Sequence, residues 1–365
     1  MFKMNPIKLT ASILSILLSA ITSQGQDMEV GSPQKYVCYR AESPLKIDGI
    51  ADEKSWNNAE STADFVDILG SQGVTPRFKT TAKMLWDNDY LYLYATLSEP
   101  HIWANLTKRD DVIFQDNDFE VFIDPDGDTH HYFEYEINAL NTEWDLKLTK
   151  PYRDGGIAVS SFNFAGIKAA VSLKGTINNP ADTDQSWSVE IAFPLKSFID
   201  SSMALPLKSG DQWRINFSRV EWQTRVENGR YVKQKDPKTG KNLAEDNWVW
   251  SPQGRVDMHC PEKWGIVQFS QHVAGKEMTP FITYPDQAIK DELRKVYSAQ
   301  RTYQAKHTHF AQTLNELKEV SPMADAWKYS PSLIRTPQGY DCTASESTTG
   351  KIYHINQTGR IWSQK

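Results

Sequence analysis

Apolar and polar positions alternate along most of this chain, most clearly between Gln115 and Trp144. Phe119, Val121 and Ile123 alternate with Asp118, Glu120 and Phe122, the period-two signature of a half-buried strand. Asp124-Pro125-Asp126-Gly127-Asp128 follows, a run that turns the chain at little cost. The return strand sets Phe133, Tyr135 and Ile137 on one face and Tyr132, Glu134, Glu136 and Asn138 on the other. Thr80 to Ser98 predicts a second hairpin: Ala82, Met84 and Trp86, a turn at Asp87-Asn88-Asp89, then Leu91, Leu93 and Ala95 against Tyr90, Tyr92 and Tyr94.

Further strands are predicted at Leu146–Thr149, Ile167–Leu173, Trp187–Phe193, Trp213–Val220 and Trp264–Phe269. Leu45 to Trp56 reads as a strand, an Asp48-Gly49 turn and one helical turn, and 224–246 as a polar loop. Short strands punctuated by turns, with no long helix, predict an all-β protein, an antiparallel sandwich over residues 37–275. From residue 280 the period changes. Ile289, Leu293, Val296 and Tyr297 stand at helical spacing, Thr313-Leu314-Asn315-Glu316 fits a capping box, and short strands follow at Gly339–Ala344 and Lys351–Asn356. Residues 280–365 are therefore expected to form a small α+β appendage.

Composition adds compartment and partner class. The chain has 365 residues, 24% charged, with net charge −6. No basic stripe accompanies the aromatics, which argues against nucleic acid. Lys3 and Lys8 precede the apolar run Leu9–Ile21, and small polar residues follow to Gln26. That order reads as a signal peptide over residues 1–26, too short for a membrane span of roughly 20 apolar residues. An exported protein, periplasmic or secreted, is expected. Cys38, Cys260 and Cys342 are an odd set, so at least one thiol is unpaired within the chain. Cys38 and Cys260 either bridge the two ends of the sandwich or remain isolated buried thiols.

Candidate chemistry gathers on and beside the first hairpin. Glu120, Glu134, Glu136 and Asn138 share two adjacent strands, and strand-face carboxylates need a partner or water. A polar face meeting a hydroxyl-rich ligand is one reading, a solvated sheet face the other. Glu99 to Asp116 is a connection long enough to expect a function, and it carries Trp103, Lys108, Arg109 and Phe114. The alternative is that Trp103 plugs the open end of the sandwich. Asp124, Asp126 and Asp128 offer oxygen ligands for calcium but lack the full EF-hand spacing, so a plain acidic turn is the alternative.

Several fragments in order resemble one known family. They are Ile47-Asp48-Gly49 with Trp56, Leu85-Trp86-Asp87-Asn88-Asp89, Asp118-Phe119-Glu120-Val121-Phe122-Ile123-Asp124, Trp187 to Pro194, Gly210 to Arg219, and Trp250-Ser251-Pro252. Together they resemble the family 9 carbohydrate-binding modules. The resemblance implies a jelly-roll-like β-sandwich that binds saccharides without cleaving them, often beside a glycosidase, and structural calcium. It implies that Glu120 reads sugar hydroxyls. It places an aromatic clamp near Phe114, with Trp103 upstream and Trp222 as the second face. Family members carry an arginine on the strand where this chain has Glu134 and Glu136.

The resulting candidate ligand set is Trp103, Arg109, Phe114, Glu120, Glu136, Asn138 and Trp222. The expected function is non-catalytic binding of an oligo- or polysaccharide in the service of polysaccharide breakdown. A glycoside hydrolase using paired carboxylates, or a surface display protein, is the alternative. The targeting pattern makes the first prediction: cleavage between about Ala20 and Asp27. N-terminal sequencing of exported material tests it, and a mature chain that still begins at Met1 refutes it.

Overall fold

The computed structural model describes residues 30–201, 205–321, 327–345 and 350–364. The expected signal segment lies outside them. The first domain is built from fifteen strands. In order these are β1 (Lys35–Arg40), β2 (Val66–Asp67), β3 (Thr80–Trp86), β4 (Tyr90–Ser98), β5 (Asp118–Asp124), β6 (Tyr132–Asn138), β7 (Glu143–Leu148) and β8 (Ala158–Val159). Next come β9 (Lys168–Lys174), β10 (Ser186–Pro194), β11 (Gln212–Glu221), β12 (Thr224–Glu227), β13 (Arg230–Lys233), β14 (Asp246–Val249) and β15 (Gly265–Val273). One sheet runs β8-β7-β6-β5-β11-β15-β1-β3-β4-β10-β9, with β14 beside β11 and β2 beside β14. Only β1 joins its neighbours β15 and β3 in parallel.

The sheet folds over at β1, so its two halves share one core. Leu91, Leu93, Val189, Ile191 and Phe193 from one half meet Phe119, Val121, Tyr135, Ile215 and Phe217 from the other. Tyr135 packs edge-on against Phe193 at 5.3 Å between ring centres. This is the sandwich that the alternation predicts.

The expected strand at Leu45–Asp48 does not form. Its N–H groups go to carboxylates rather than to a ladder: Lys46 donates to Glu53 at 3.1 Å, and Asp48 and Gly49 donate to Glu190 at 2.9 and 3.1 Å. The Trp56 indole, from the short helix α1 (Lys54–Asn58), also donates to Glu190, at 2.9 Å. One buried carboxylate on β10 thus ties two distant sequence fragments together. Gly49 makes this possible, with φ +81° and no room for a side chain: a Cβ there would lie 2.8 Å from the Ser172 amide nitrogen.

Residues 224–246 contain a hairpin rather than only a loop. β12 and β13 pair around Asn228-Gly229, whose φ values of 50° and 72° suit the tight two-residue turn. All three cysteines are buried and free, the isolated-thiol alternative.

The C-terminal region has its own core. Helix α2 (Asp286–His307) packs Ile289, Leu293 and Val296 against Tyr340, Cys342, Tyr353 and Ile355 of a four-stranded sheet, β16 (Ser332–Thr336), β17 (Gly339–Ser345), β18 (Ile352–Asn356) and β19 (Ile361–Gln364). The expected second helix is a single 3-10 turn, Glu316–Glu319, preceded by the predicted capping box: the Glu316 carboxylate accepts the N–H groups of Thr313 and Gln312, and the Glu316 N–H donates to the Thr313 hydroxyl oxygen.

The boundary near Pro280 is less clean than the pattern implies. Residues 279–284 run along the sandwich: Gln268 donates to the Pro280 carbonyl at 2.9 Å, and Tyr284 donates to the Gly210 carbonyl at 2.9 Å. Asp154, almost wholly buried, accepts from Tyr297 at 2.7 Å and Arg301 at 2.6 Å. A chain ending at Ala274 keeps the whole sandwich core but removes Tyr297 and Arg301 from Asp154 and the Pro280 and Ile282 backbone from Gln268. It is expected to remain β-rich by circular dichroism and melt cooperatively, several degrees below the full chain. An unfolded product would make the appendage part of one folding unit.

Candidate functional site

The outer face of β5, β6 and β11 carries the chemistry. Ladder register fixes it: Glu120 stands opposite Glu136 on β6 and opposite Ser218 on β11. One row along, Asp118 faces Asn138; one row the other way, Glu134 faces Phe122. The face is not solvated. Asp118, Glu120, Glu134 and Glu136 are all buried, at 0%, 5%, 5% and 1% exposure. Below them Phe122, Tyr132, Leu146 and Trp264 pack with Ile68 and Met258. Burial pushes Glu120 up to about 7 and Asp118, Glu134 and Glu136 well above the usual carboxylate range, and neighbouring carboxylates add to the rise for the last three.

Above the carboxylates lies a rim of aromatics. Trp103, Val220 and Trp222 form a cluster with Phe114 and Tyr231. The Trp222 indole donates to the Phe114 carbonyl at 2.8 Å, and the Phe114 N–H donates to Glu136 at 2.9 Å. A pocket of about 380 Å³ opens here between the Glu99–Asp116 connection and the β12–β13 hairpin. Trp103, Gln115, Asp116, Tyr231, Lys233 and Asn242 are among its walls. The volume suits a small ligand. The Trp103 indole N–H is buried there without an acceptor. Lys233 lies 3.3 Å from the centre of the Trp222 ring, covering its face, and burial pushes its ammonium down to about 8.

The structure therefore brings Trp103, Phe114 and Trp222 together and sets Glu120 and Glu136 beneath them. Arg109 is elsewhere. It is held by Glu143 at 2.8 Å, by Asp145 and by Asn163 at 3.0 Å, an ion-pair network that pins the connection to β7. Asn138 also has a bracing role: it donates to Leu106 at 2.9 Å and accepts from Leu140 at 3.0 Å and Thr142 at 3.1 Å. Sequence reasoning missed Tyr231 and Lys233. Their signal was present in Asn228-Gly229 flanked by Val226 and Tyr231-Val232.

The acidic turn brings one carboxylate oxygen from each of Asp124, Asp126 and Asp128 within 4.8 Å of one another, the spacing a cation would use. Asp124 accepts from Gly127 and Thr129, both at 3.0 Å, Asp126 from Asp128 at 3.3 Å, and Asp128 from His130 at 2.7 Å. The cation at this turn is Arg360 of the appendage, 2.9 Å from Asp128.

A β-sandwich with an aromatic-walled polar pocket at one rim defines a small-ligand-binding module. The family model described as "carbohydrate family 9 binding domain-like" matches residues 47–241, more than half of the chain, and the chain belongs to that family; carbohydrate binding is the activity of such a domain. Among curated relatives, the chain is 32% identical over 156 residues to endo-1,4-beta-xylanase A of Thermoanaerobacterium saccharolyticum, covering 43% of this chain and 11% of that enzyme. It is 30% identical over 176 residues to exoglucanase XynX of Acetivibrio thermocellus, covering 48% of this chain and 14% of that enzyme. The chain thus spans only a small part of either relative. Among solved structures, it resembles a putative carbohydrate-binding protein from Bacteroides uniformis (TM-score 0.48, 16% identity, 66% of this chain and 100% of that one). It also resembles a family 9 module from Caldicellulosiruptor kristjanssonii in complex with cellotriose (TM-score 0.43, 14% identity, 68% and 100%).

The carboxylate row predicts a pH effect. Glu120 ionises near 4.5 when unfolded but only at about 7 when folded. The folded form therefore holds the extra proton between these values, and its stabilising contribution, complete below 4.5, is lost as pH rises to 7. Glu120→Gln should gain melting temperature relative to wild type as pH goes from 4.5 to 7. A difference that does not change with pH contradicts the shift.

Proposed function

We propose that this chain is an exported saccharide-binding protein that seats a sugar ring in the rim pocket and holds polysaccharide for a separate glycosidase. The observation that carries the reading is the pocket itself. Aromatic side chains offer flat apolar area for the ring's C–H face, while Gln115, Asp116 and Asn242 offer polar atoms for its hydroxyls. The unpartnered Trp103 N–H supports the same reading, because a buried donor gains from an acceptor such as a sugar oxygen. The xylanase and exoglucanase relatives support the polysaccharide context. The targeting pattern at Lys3 to Gln26 supports export.

In this reading Lys233 is displaced from Trp222 or hydrogen-bonds the ligand from the side. The paired carboxylates favour binding over hydrolysis, since Glu120 and Glu136 lie under the rim rather than in the pocket wall. Glycan-array screening of the mature chain should find an oligosaccharide ligand, and calorimetric titration should give its affinity. Tyr231→Ala and Trp103→Ala are each expected to weaken that affinity about tenfold or more, or about 1.4 kcal/mol. Glu120→Gln should weaken it less, acting through Glu136 and the Phe114 backbone. Full affinity in both aromatic variants would place the ligand elsewhere. Release of reducing sugar by wild type that Glu120→Gln abolishes would replace the binding reading with the hydrolase one.

A further inference from the structure

We propose that the rim pocket selects a sugar bearing an anionic group, a carboxylate or a sulfate ester, with the Lys233 ammonium as its counter-charge. The inference rests on the saccharide reading and names the class of sugar. It starts from the charges on the walls. Arg225, Lys233 and Lys235 line the pocket, with Asp116 and Glu227 against them. Both carboxylates are engaged. Glu227 accepts from Arg225 at 2.7 Å. One oxygen of Asp116 accepts the Asn105 and Leu106 N–H groups, both at 2.8 Å, and the Asn138 amide at 3.1 Å. Lys233 has no such match. Among the described residues its ammonium meets the Gln115 side-chain oxygen at 3.4 Å and the Trp222 ring, both uncharged.

The second observation is the Trp103 indole N–H, buried in the same wall without an acceptor. Donors therefore outnumber free acceptors where the ring would sit. A neutral hydroxyl suffices for the indole, but it does not offset an ammonium. Lys233 is already half-buried. Burial lowers its pKa to about 8, although Asp116, Glu245 and Asp118 attract it from farther away. A ring seated in the pocket covers it further. With a neutral ring that added desolvation has nothing to offset it. With an anionic ring it is met by a charge-assisted hydrogen bond, roughly twice as strong as a neutral one.

This excess of positive charge is local. The chain as a whole carries −6. The carboxylate row beneath the rim cancels little of it, because burial holds Asp118 and Glu136 toward their neutral form. The cavity of about 260 Å³ between the sandwich and the appendage is the internal contrast. There Arg214, Lys290 and Arg294 stand with Asp126, Asp211 and Asp286, so the formal charges balance, and Lys290 is paired with Asp286 at 3.1 Å. In the rim pocket the unmatched ammonium comes from the β12–β13 hairpin, which stands over the aromatic wall. The same hairpin thus supplies the Tyr231 ring for the apolar face of a sugar and the Lys233 charge for a substituent on it.

The test is calorimetric titration of the mature chain with matched trimers of linked glucose, galactose or mannose. Each trimer is supplied in three forms: neutral, oxidised to the uronate, and sulfated on the primary hydroxyl. In at least one series an anionic trimer should bind wild type at least tenfold more tightly than its neutral counterpart. Which anionic form binds more tightly identifies the group. The advantage should shrink as salt rises from about 0.05 to 0.5 M. Lys233→Gln should bring the anionic-to-neutral affinity ratio to within about threefold of one, and Lys233→Arg, which keeps the charge, should retain a preference. The ratio is taken within each protein, so a general loss of affinity does not imitate the effect. Neutral trimers that bind wild type as tightly as the anionic ones, or glycan-array hits confined to neutral sugars, overturn the proposal and leave the saccharide reading standing. An anionic preference that survives Lys233→Gln also overturns it, by placing the charge reader elsewhere. Failure of every trimer together with an empty glycan array would sink both readings.

Discussion

Two glutamates stand directly opposite one another in a ladder, and both are buried. That pairing of Glu120 with Glu136 is the constraint around which the rest of this face is arranged. Like charges across a strand pair repel, and desolvation makes ionising either of them harder. The fold holds them in place through register, which cannot slip by one residue without turning Phe119, Val121, Tyr135 and Ile137 out of the core. The apolar core therefore enforces an arrangement that electrostatics alone would reject.

The same carboxylates position the rim. Glu136 holds the Phe114 N–H, and the Phe114 carbonyl holds the Trp222 indole. Asp116 accepts the N–H groups of Asn105 and Leu106, both at 2.8 Å, and Asn138 braces the same segment. A connection with little regular structure is thereby fixed by Glu136 and Asn138 projecting from β6 and by its own Asp116. At the edge of the core, the Glu99–Arg219–Glu221 cluster anchors the end of β11 from which Trp222 departs. Deleting Arg219 would leave two buried carboxylates unpaired, the kind of change that costs several kcal/mol.

Much of the fold was legible because period two is unambiguous where one face is apolar. β3, β4, β5, β6, β10 and β11 all show it. The segment at Leu45–Asp48 was not legible, because its N–H groups go to Glu53 and to Glu190, which lies 142 residues from Asp48, and no local pattern reports that. The β12–β13 hairpin is only four residues a strand and mostly solvent-facing, so its alternation was short and Asn228-Gly229 was its clearest mark. In the site, the aromatics and the central glutamates could be named from motif order. Arg109 and Asn138 could not be separated from them, because a bracing residue and a ligand-reading residue have the same chemistry and differ only in what they touch. The burial of the carboxylate row was also hidden, since its cover comes from loops far along the chain.

The central claim is that the rim pocket between the Glu99–Asp116 connection and the β12–β13 hairpin receives a sugar ring. The most direct measurement is a crystal structure of the mature chain with its oligosaccharide ligand. The account predicts a ring against Trp103 and Tyr231, its hydroxyls within hydrogen-bond reach of Gln115 or Asn242, and Lys233 moved off Trp222 or bonded to the sugar. Ligand density on another face, with this pocket unchanged and Lys233 still covering Trp222, would contradict it.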